Sequence, residues 1–137
     1  MASLKQIIII IAISILLLVG GFMGFNFIRM LNDKDPPRII SVGYNPNPKV
    51  NTSTTIQVFV EDVSGIESCK IYYRLNNSEW IARDLKRYII ICCPPRYLIR
   101  LGPFPSVGTQ IDFYFEISDK KENVLISETY SFTVVGS

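Results

Sequence analysis

The sequence predicts an all-β sandwich of about seven strands, preceded by a single membrane-crossing α-helix. Three observations lead there. Residues 7–28 carry no charge. Nearly every segment beyond them alternates apolar and polar residues with period two, the signature of a half-buried strand. Proline, glycine, asparagine and aspartate fall between those segments, where turns belong, and no amphipathic helical period competes with them.

At ~1.5 Å rise per residue, residues 7–28 make a helix of roughly 33 Å, enough for a hydrocarbon core of ~30 Å. In water that helix would have no polar face to show the solvent. A secretory signal would need a shorter apolar core and a small-x-small cleavage site. Val19-Gly20-Gly21 matches that site poorly, and the apolar run continues past it to Ile28. Gly20 and Gly24 stand four apart, a spacing that lets two helix backbones approach closely, and are the candidates for helix–helix contact. The expected boundaries are a short flank over 1–5, the transmembrane helix over 6–31, a linker over 32–37 that ends on Pro36-Pro37, and the sandwich over 38–135.

Orientation carries a conflict. Arg29, Lys34 and Arg38 on the C-terminal flank outnumber Lys5 on the other, which by the positive-inside rule would hold the domain inside. The sequons Asn51-Thr52-Ser53 and Asn76-Asn77-Ser78 and the domain type point outside, and an extracytoplasmic domain is the expectation.

Charge and composition exclude several classes. Of 14 Lys and Arg, only Lys5 and Arg29 precede Asn32, so the remainder balances the 12 acidic residues. A neutral outer domain is not built for nucleic acid. The chain has no histidine, which removes the commonest general base and metal ligand together. There is no G-x-S-x-G elbow and no Gly-rich phosphate loop. Cys69, Cys92 and Cys93 are odd in number and lack zinc-ligand spacing. On a strand, the adjacent Cys92 and Cys93 would point to opposite faces. No enzyme activity, cofactor or metal is expected.

The strands follow in order. Ile39–Tyr44 ends at Asn45-Pro46-Asn47-Pro48. Thr54–Glu61 places Ile56, Val58 and Val60 on one face, and Asp62-Val63-Ser64-Gly65 turns the chain. Cys69, Ile71, Tyr73 and Leu75 alternate, and Asn76-Asn77-Ser78 makes a tight connection to Trp80. Tyr88–Cys93 reads as an apolar strand stopped by Pro94-Pro95. Tyr97, Ile99 and Leu101 alternate up to Gly102-Pro103. Ile111, Phe113, Phe115 and Ile117 alternate next, then Tyr130, Phe132 and Val134. One face of each strand fills the space between two sheets.

A resemblance rests on these residues: Asp62-Val63-Ser64-Gly65-Ile66, Ile71-Tyr72-Tyr73-Arg74, Trp80, Tyr97 through Leu101-Gly102-Pro103-Phe104-Pro105, Gly108-Thr109, Asp112 through Asp119, Asn123, and Tyr130-Ser131-Phe132-Thr133-Val134. In order and spacing they resemble the fibronectin type III-like and immunoglobulin-like modules of archaeal and bacterial surface proteins, over roughly Pro36–Val135. The resemblance implies the fold and a surface setting, not a ligand. The chain departs from it at Glu122, where the module usually has glycine before the asparagine, and in the apolar stretch from Leu85 to Pro95.

Several groups are candidates for interaction. Tyr88, Ile89, Ile90 and Ile91 are apolar on both faces of their expected strand, which is either covered internally or meets a partner or the bilayer. Tyr72 and Tyr114 stand out of phase with their inward neighbours and make an exposed aromatic pair if their strands are adjacent. Arg83, Lys86, Arg87, Arg96 and Arg100 form a basic patch suited to anionic head groups or acidic glycans. Asp112, Glu116, Asp119, Glu122 and Glu128 load acid onto the last strands, so that copies of the chain could meet head to tail. Asp62, Asp119 and Asn123 offer oxygens for calcium, or for their own turn backbones.

The expected function is a membrane-anchored extracytoplasmic module for protein–protein interaction or adhesion. The expected partners are membrane lipid and other membrane or surface proteins, copies of itself included. The alternatives are a pilin-like filament subunit with a helical core and an accessory single-span subunit of a larger membrane complex.

Overall fold

The computed structural model describes residues 3–137; the first two residues of the 1–5 flank lie outside them. The chain divides into two compact units, one up to Asp33 and one over Lys34–Ser137.

The first unit is one helix, α1 (Leu4–Leu31). It starts ahead of the boundary read from the apolar run because Ser3 and Gln6 form a capping box. Gln6 N–H donates to Ser3 Oγ at 3.4 Å, and Ser3 N–H donates to Gln6 Oε1 at 2.8 Å. This satisfies amides that a helix start otherwise leaves orphaned. At ~1.5 Å per residue, the 28 residues span about 42 Å. No residue of α1 is buried among the described residues. The two polar side chains inside the run bond back to the helix itself. Ser14 Oγ donates to Ile10 O and Asn26 Nδ2 to Phe22 O, both at 2.9 Å. Neither therefore needs water. The helix ends where Asn32 N–H donates to Ile28 O.

The second unit is a sandwich of two antiparallel sheets. Its strands are β1 (Arg38–Gly43), β2 (Thr54–Glu61), β3 (Ile66–Leu75), β4 (Ile81–Asp84), β5 (Lys86–Tyr88), β6 (Arg96–Leu101), β7 (Gln110–Asp119), β8 (Val124–Ile126) and β9 (Tyr130–Thr133). The first sheet runs β1-β2-β6-β5; the second runs β4-β3-β7, with β8 and β9 in tandem along the other side of β7. The period-two pattern decides which side chains meet between the sheets. Ile56, Val58 and Val60 come from β2, Cys69, Ile71 and Tyr73 from β3, Tyr97 and Leu101 from β6, and Ile111, Phe113, Phe115 and Ile117 from β7.

Between β4 and β5 the chain changes sheets. Leu85 makes the corner: its side chain is buried and its N–H donates to Cys69 O at 3.0 Å. The registers Arg38↔Glu61, Phe59↔Arg96 and Tyr88↔Arg96 put the start of β1, the end of β2, the end of β5 and the start of β6 at one pole of the sandwich. The turn over 62–65 and the pair Ile66↔Asp119 belong to the same pole. Asn76, Gln110 and the end of β9 lie at the other.

The structure corrects one expected strand. Tyr88–Cys93 is not extended; pairing stops at Tyr88↔Arg96, and residues 89–95 form the loop of the β5–β6 hairpin. Pro94 and Pro95 have no N–H for a ladder, and Cys93 N–H instead donates to Ile90 O across a tight turn. At the β3–β4 hairpin, Asn76 and Asn77 both take positive φ, 47° and 62°. That is the backbone of a two-residue turn whose twist matches the strands it joins.

Glu122 also has positive φ, 66°. Here glycine is the residue that pays no steric cost. Glu122→Gly is therefore expected to stabilise the sandwich by about 0.5 kcal/mol, the relief of left-handed strain outweighing the added freedom of the unfolded chain. A denaturant midpoint unchanged or lowered in the variant would contradict this.

Candidate interaction surfaces

The β5–β6 hairpin presents the most exposed apolar residues of the second unit. Ile91 at the tip is fully exposed, Ile89 is 74% exposed, and Tyr88 and Ile90 are more than a third exposed. None of them belongs to the core, which closes through Tyr97 and Leu101 on the neighbouring strand. Cys92 and Cys93 lie in the same loop. Because the backbone turns there, their sulfurs face each other at 3.0 Å rather than pointing to opposite sides as they would on a strand. The hydrogen bond with Cys92 raises the Cys93 thiol above its usual range.

The basic residues separate into different faces. Lys86, Tyr88, Arg96 and Arg100 share the outer face of the first sheet, as the registers Lys86↔Leu98, Tyr88↔Arg96 and Thr55↔Arg100 require. Lys86 Nζ lies 5.5 Å and the Arg96 guanidinium 5.8 Å from the Tyr88 ring centre, so two cations attend one aromatic ring. Arg87 pairs with the inward Tyr97 and lines the gap beside Cys69 and Leu85. Arg83 stands on β4, in the other sheet.

The outer face of the second sheet carries an aromatic strip. Tyr72 and Tyr114 are direct cross-strand partners, their rings stacked at 5.1 Å and 4°. Trp80, from the β3–β4 connection, meets Tyr114 edge-on at 4.9 Å. The Arg74 guanidinium covers the Trp80 ring at 4.5 Å, and Arg74 Nε donates to Asp112 Oδ2 at 3.1 Å. The sequence pattern pointed to the two tyrosines; Trp80 and Arg74 join them because the Asn76-Asn77 turn folds β4 back along β3. Cross-strand stacking gives this face rigidity as well as exposed aromatic area.

The acidic residues do not form an edge. Asp112 and Asp119 are buried. Asp112 Oδ1 accepts from Ser131 Oγ at 2.6 Å and from Gln110 Nε2 at 3.0 Å. The Ser131 bond, with those from Gln110 and Arg74, outweighs burial and holds the Asp112 carboxyl below the usual range. Asp62, Asp119 and Asn123 do meet at one pole, with carboxylate oxygens of Asp62 and Asp119 within 4.8 Å of each other. Asp119 Oδ1 accepts from Lys121 N–H at 2.7 Å and Asn123 N–H at 2.9 Å, and Oδ2 from Asn123 Nδ2 at 2.7 Å. Asp62 Oδ1 accepts from Ser64 N–H and Oγ. These bonds fix the two turns.

On α1, Gly20 and Gly24 are open: a Cβ added at either would meet nothing within 4 Å. Cys69, by contrast, is enclosed between the sheets, where burial pushes its thiol up to about 12.

No protein-family model matches the chain, and no curated protein matches it significantly. Solved structures do. The PKD domain of an M14-like peptidase from Thermoplasmatales archaeon SCGC AB-540-F20 is 14% identical, with a TM-score of 0.51 over 75% of this chain and 99% of that one. CopC from Methylosinus trichosporium OB3b is 12% identical, with a TM-score of 0.52 over 73% of this chain and 94% of that one. The sandwich is immunoglobulin-like. At such identities the likeness is one of fold, and the residues of the hairpin tip and the aromatic strip are argued from this chain alone.

Proposed function

We propose that the chain is a single-pass membrane protein whose immunoglobulin-like domain makes protein–protein contacts at the outer surface of the cell. The observation that carries the reading is α1: over residues 7–28 it is apolar on every side, none of its described residues is buried, and Ser14 and Asn26 are satisfied within the helix. Lipid is the medium that suits such a surface. The sandwich it precedes offers a rigid aromatic strip, Tyr72, Tyr114 and Trp80, with Arg74 against it. Aromatic and arginine side chains dominate the energetics of protein interfaces.

Membranes from cells expressing the full chain, washed at alkaline pH, test the anchor. The protein is expected to stay with the lipid, and protease added to intact cells is expected to remove the sandwich. Release into the wash overturns the anchor, and protection from protease overturns the orientation. Long sedimenting assemblies would replace this reading with that of a filament subunit.

A further inference from the structure

We propose that the tip of the β5–β6 hairpin, Tyr88 to Pro95, dips into the interface of the bilayer that α1 spans, with Lys86 and Arg96 meeting anionic lipid phosphates beside it. The inference rests on the membrane-anchor reading above and adds a second point of attachment to it.

Four observations converge on this loop. First, three consecutive isoleucines project from it into solvent while the sandwich core is complete without them. Isolated exposed apolar side chains are ordinary; a run of them at a protruding tip is not. Second, part of its backbone makes no demand on water. Pro94 and Pro95 bring no N–H to desolvate, and the Cys93 amide is already bonded to Ile90 O.

Third, the chain from Lys86 to Leu101 contains Lys86, Arg87, Arg96 and Arg100 and no acidic residue. Lys86 and Arg96 flank the Tyr88 ring. Tyrosine, with an apolar ring and a polar tip, belongs at head-group level, and the cations belong just above it, where anionic lipid attracts them. Fourth, the pole that carries the tip is the pole where β1 begins at Arg38. Fully extended, residues 32–37 reach at most ~20 Å. The linker therefore enters the sandwich at the pole that carries the tip, not at the opposite one. An exposed apolar tip also needs no complementary pocket in a fluid hydrocarbon, whereas a protein partner would have to supply one.

The test uses the full chain with Trp80→Phe, which removes the single tryptophan, and Ile91→Trp at the exposed tip. The protein is reconstituted into phosphatidylcholine–phosphatidylserine vesicles, with and without bromine on the acyl chains. The expected result is a blue-shifted Trp emission that loses most of its intensity to the bromines. Adding Lys86→Glu and Arg96→Glu is expected to weaken that quenching. Water-like, unquenched emission overturns the proposal. So does blue-shifted emission that bromine leaves intact, which would mean the tip is covered by protein, a second copy included. Leu17→Trp in the same Trp80→Phe background separates the two levels of argument. If it too escapes quenching, the anchor reading has failed; if it alone is quenched, only the hairpin inference has.

Discussion

Phe113→Ala is expected to destabilise the sandwich by about 4 kcal/mol, the largest effect of any single truncation in its core. Phe113 is fully buried at the middle of β7. Tyr44 meets it edge-on at 5.2 Å, Tyr130 stacks on it at 5.3 Å, and Phe115 and Phe132 complete the cluster at 5.7 and 6.0 Å. Those rings come from β7 itself, from β9 and from the segment after β1, so the ring is the common neighbour of both sheets. Its loss removes buried apolar area and also leaves a cavity that rigid aromatic neighbours fill poorly. Val63→Ala, at an exposed position in the β2–β3 turn, is expected to change stability by less than about 0.5 kcal/mol. Denaturant titration followed by Trp80 fluorescence compares the two. Equal midpoints would mean that Phe113 is not central to the packing.

Asp119→Ala is expected to cost about 3 kcal/mol, through a different mechanism. Removing the carboxylate leaves the amides of Lys121 and Asn123 and the Asn123 side chain without their acceptor. It also frees the β7–β8 turn, which is held to the neighbouring turn by Lys120 N–H donating to Gly65 O. The same network predicts a pH dependence. Burial pushes the Asp119 carboxyl up, but the bonds from Asn123, Lys121 and Ser64 outweigh it, so its folded value lies below the unfolded one. A depressed carboxylate contributes stability that is complete above the unfolded value of ~4 and is lost as pH falls through the folded value. Asp112 acts in the same direction. The unfolding midpoint should therefore hold from neutral pH down to about pH 5 and fall below about pH 4, more gently in Asp119→Ala than in the parent chain. An acid limb of equal slope in both would remove Asp119 from the account.

The parts of the fold legible in the sequence are those whose burial is one-sided. β2, β3 and β7 each bury alternate residues, so period two is written into them. β4 and β8 are short edge strands whose residues stay largely in solvent, and a strand that buries little leaves no pattern to read. The run Tyr88–Cys93 misled for the opposite reason. Hydrophobicity there does not serve the core, so a rule that equates apolar runs with buried strands assigns it wrongly. The Tyr72–Tyr114 stack was legible because both residues break the phase of their strands. Trp80 was not, because its place beside them depends on the hairpin register, which a single residue after a turn does not reveal. The acidic residues misled through burial: Asp112 and Asp119 read as surface charge, yet both serve as internal hydrogen-bond acceptors.

The positions of the two ends of the sandwich have a practical consequence. β1 begins at the pole of the hairpin tip, whereas β9 runs to the other pole, where Val135 bridges to Lys49. A reporter or affinity tag fused after Ser137 would thus emerge on the side away from the isoleucine tip. Labelled molecules can be tracked in living cells without the label itself obstructing whatever that tip touches.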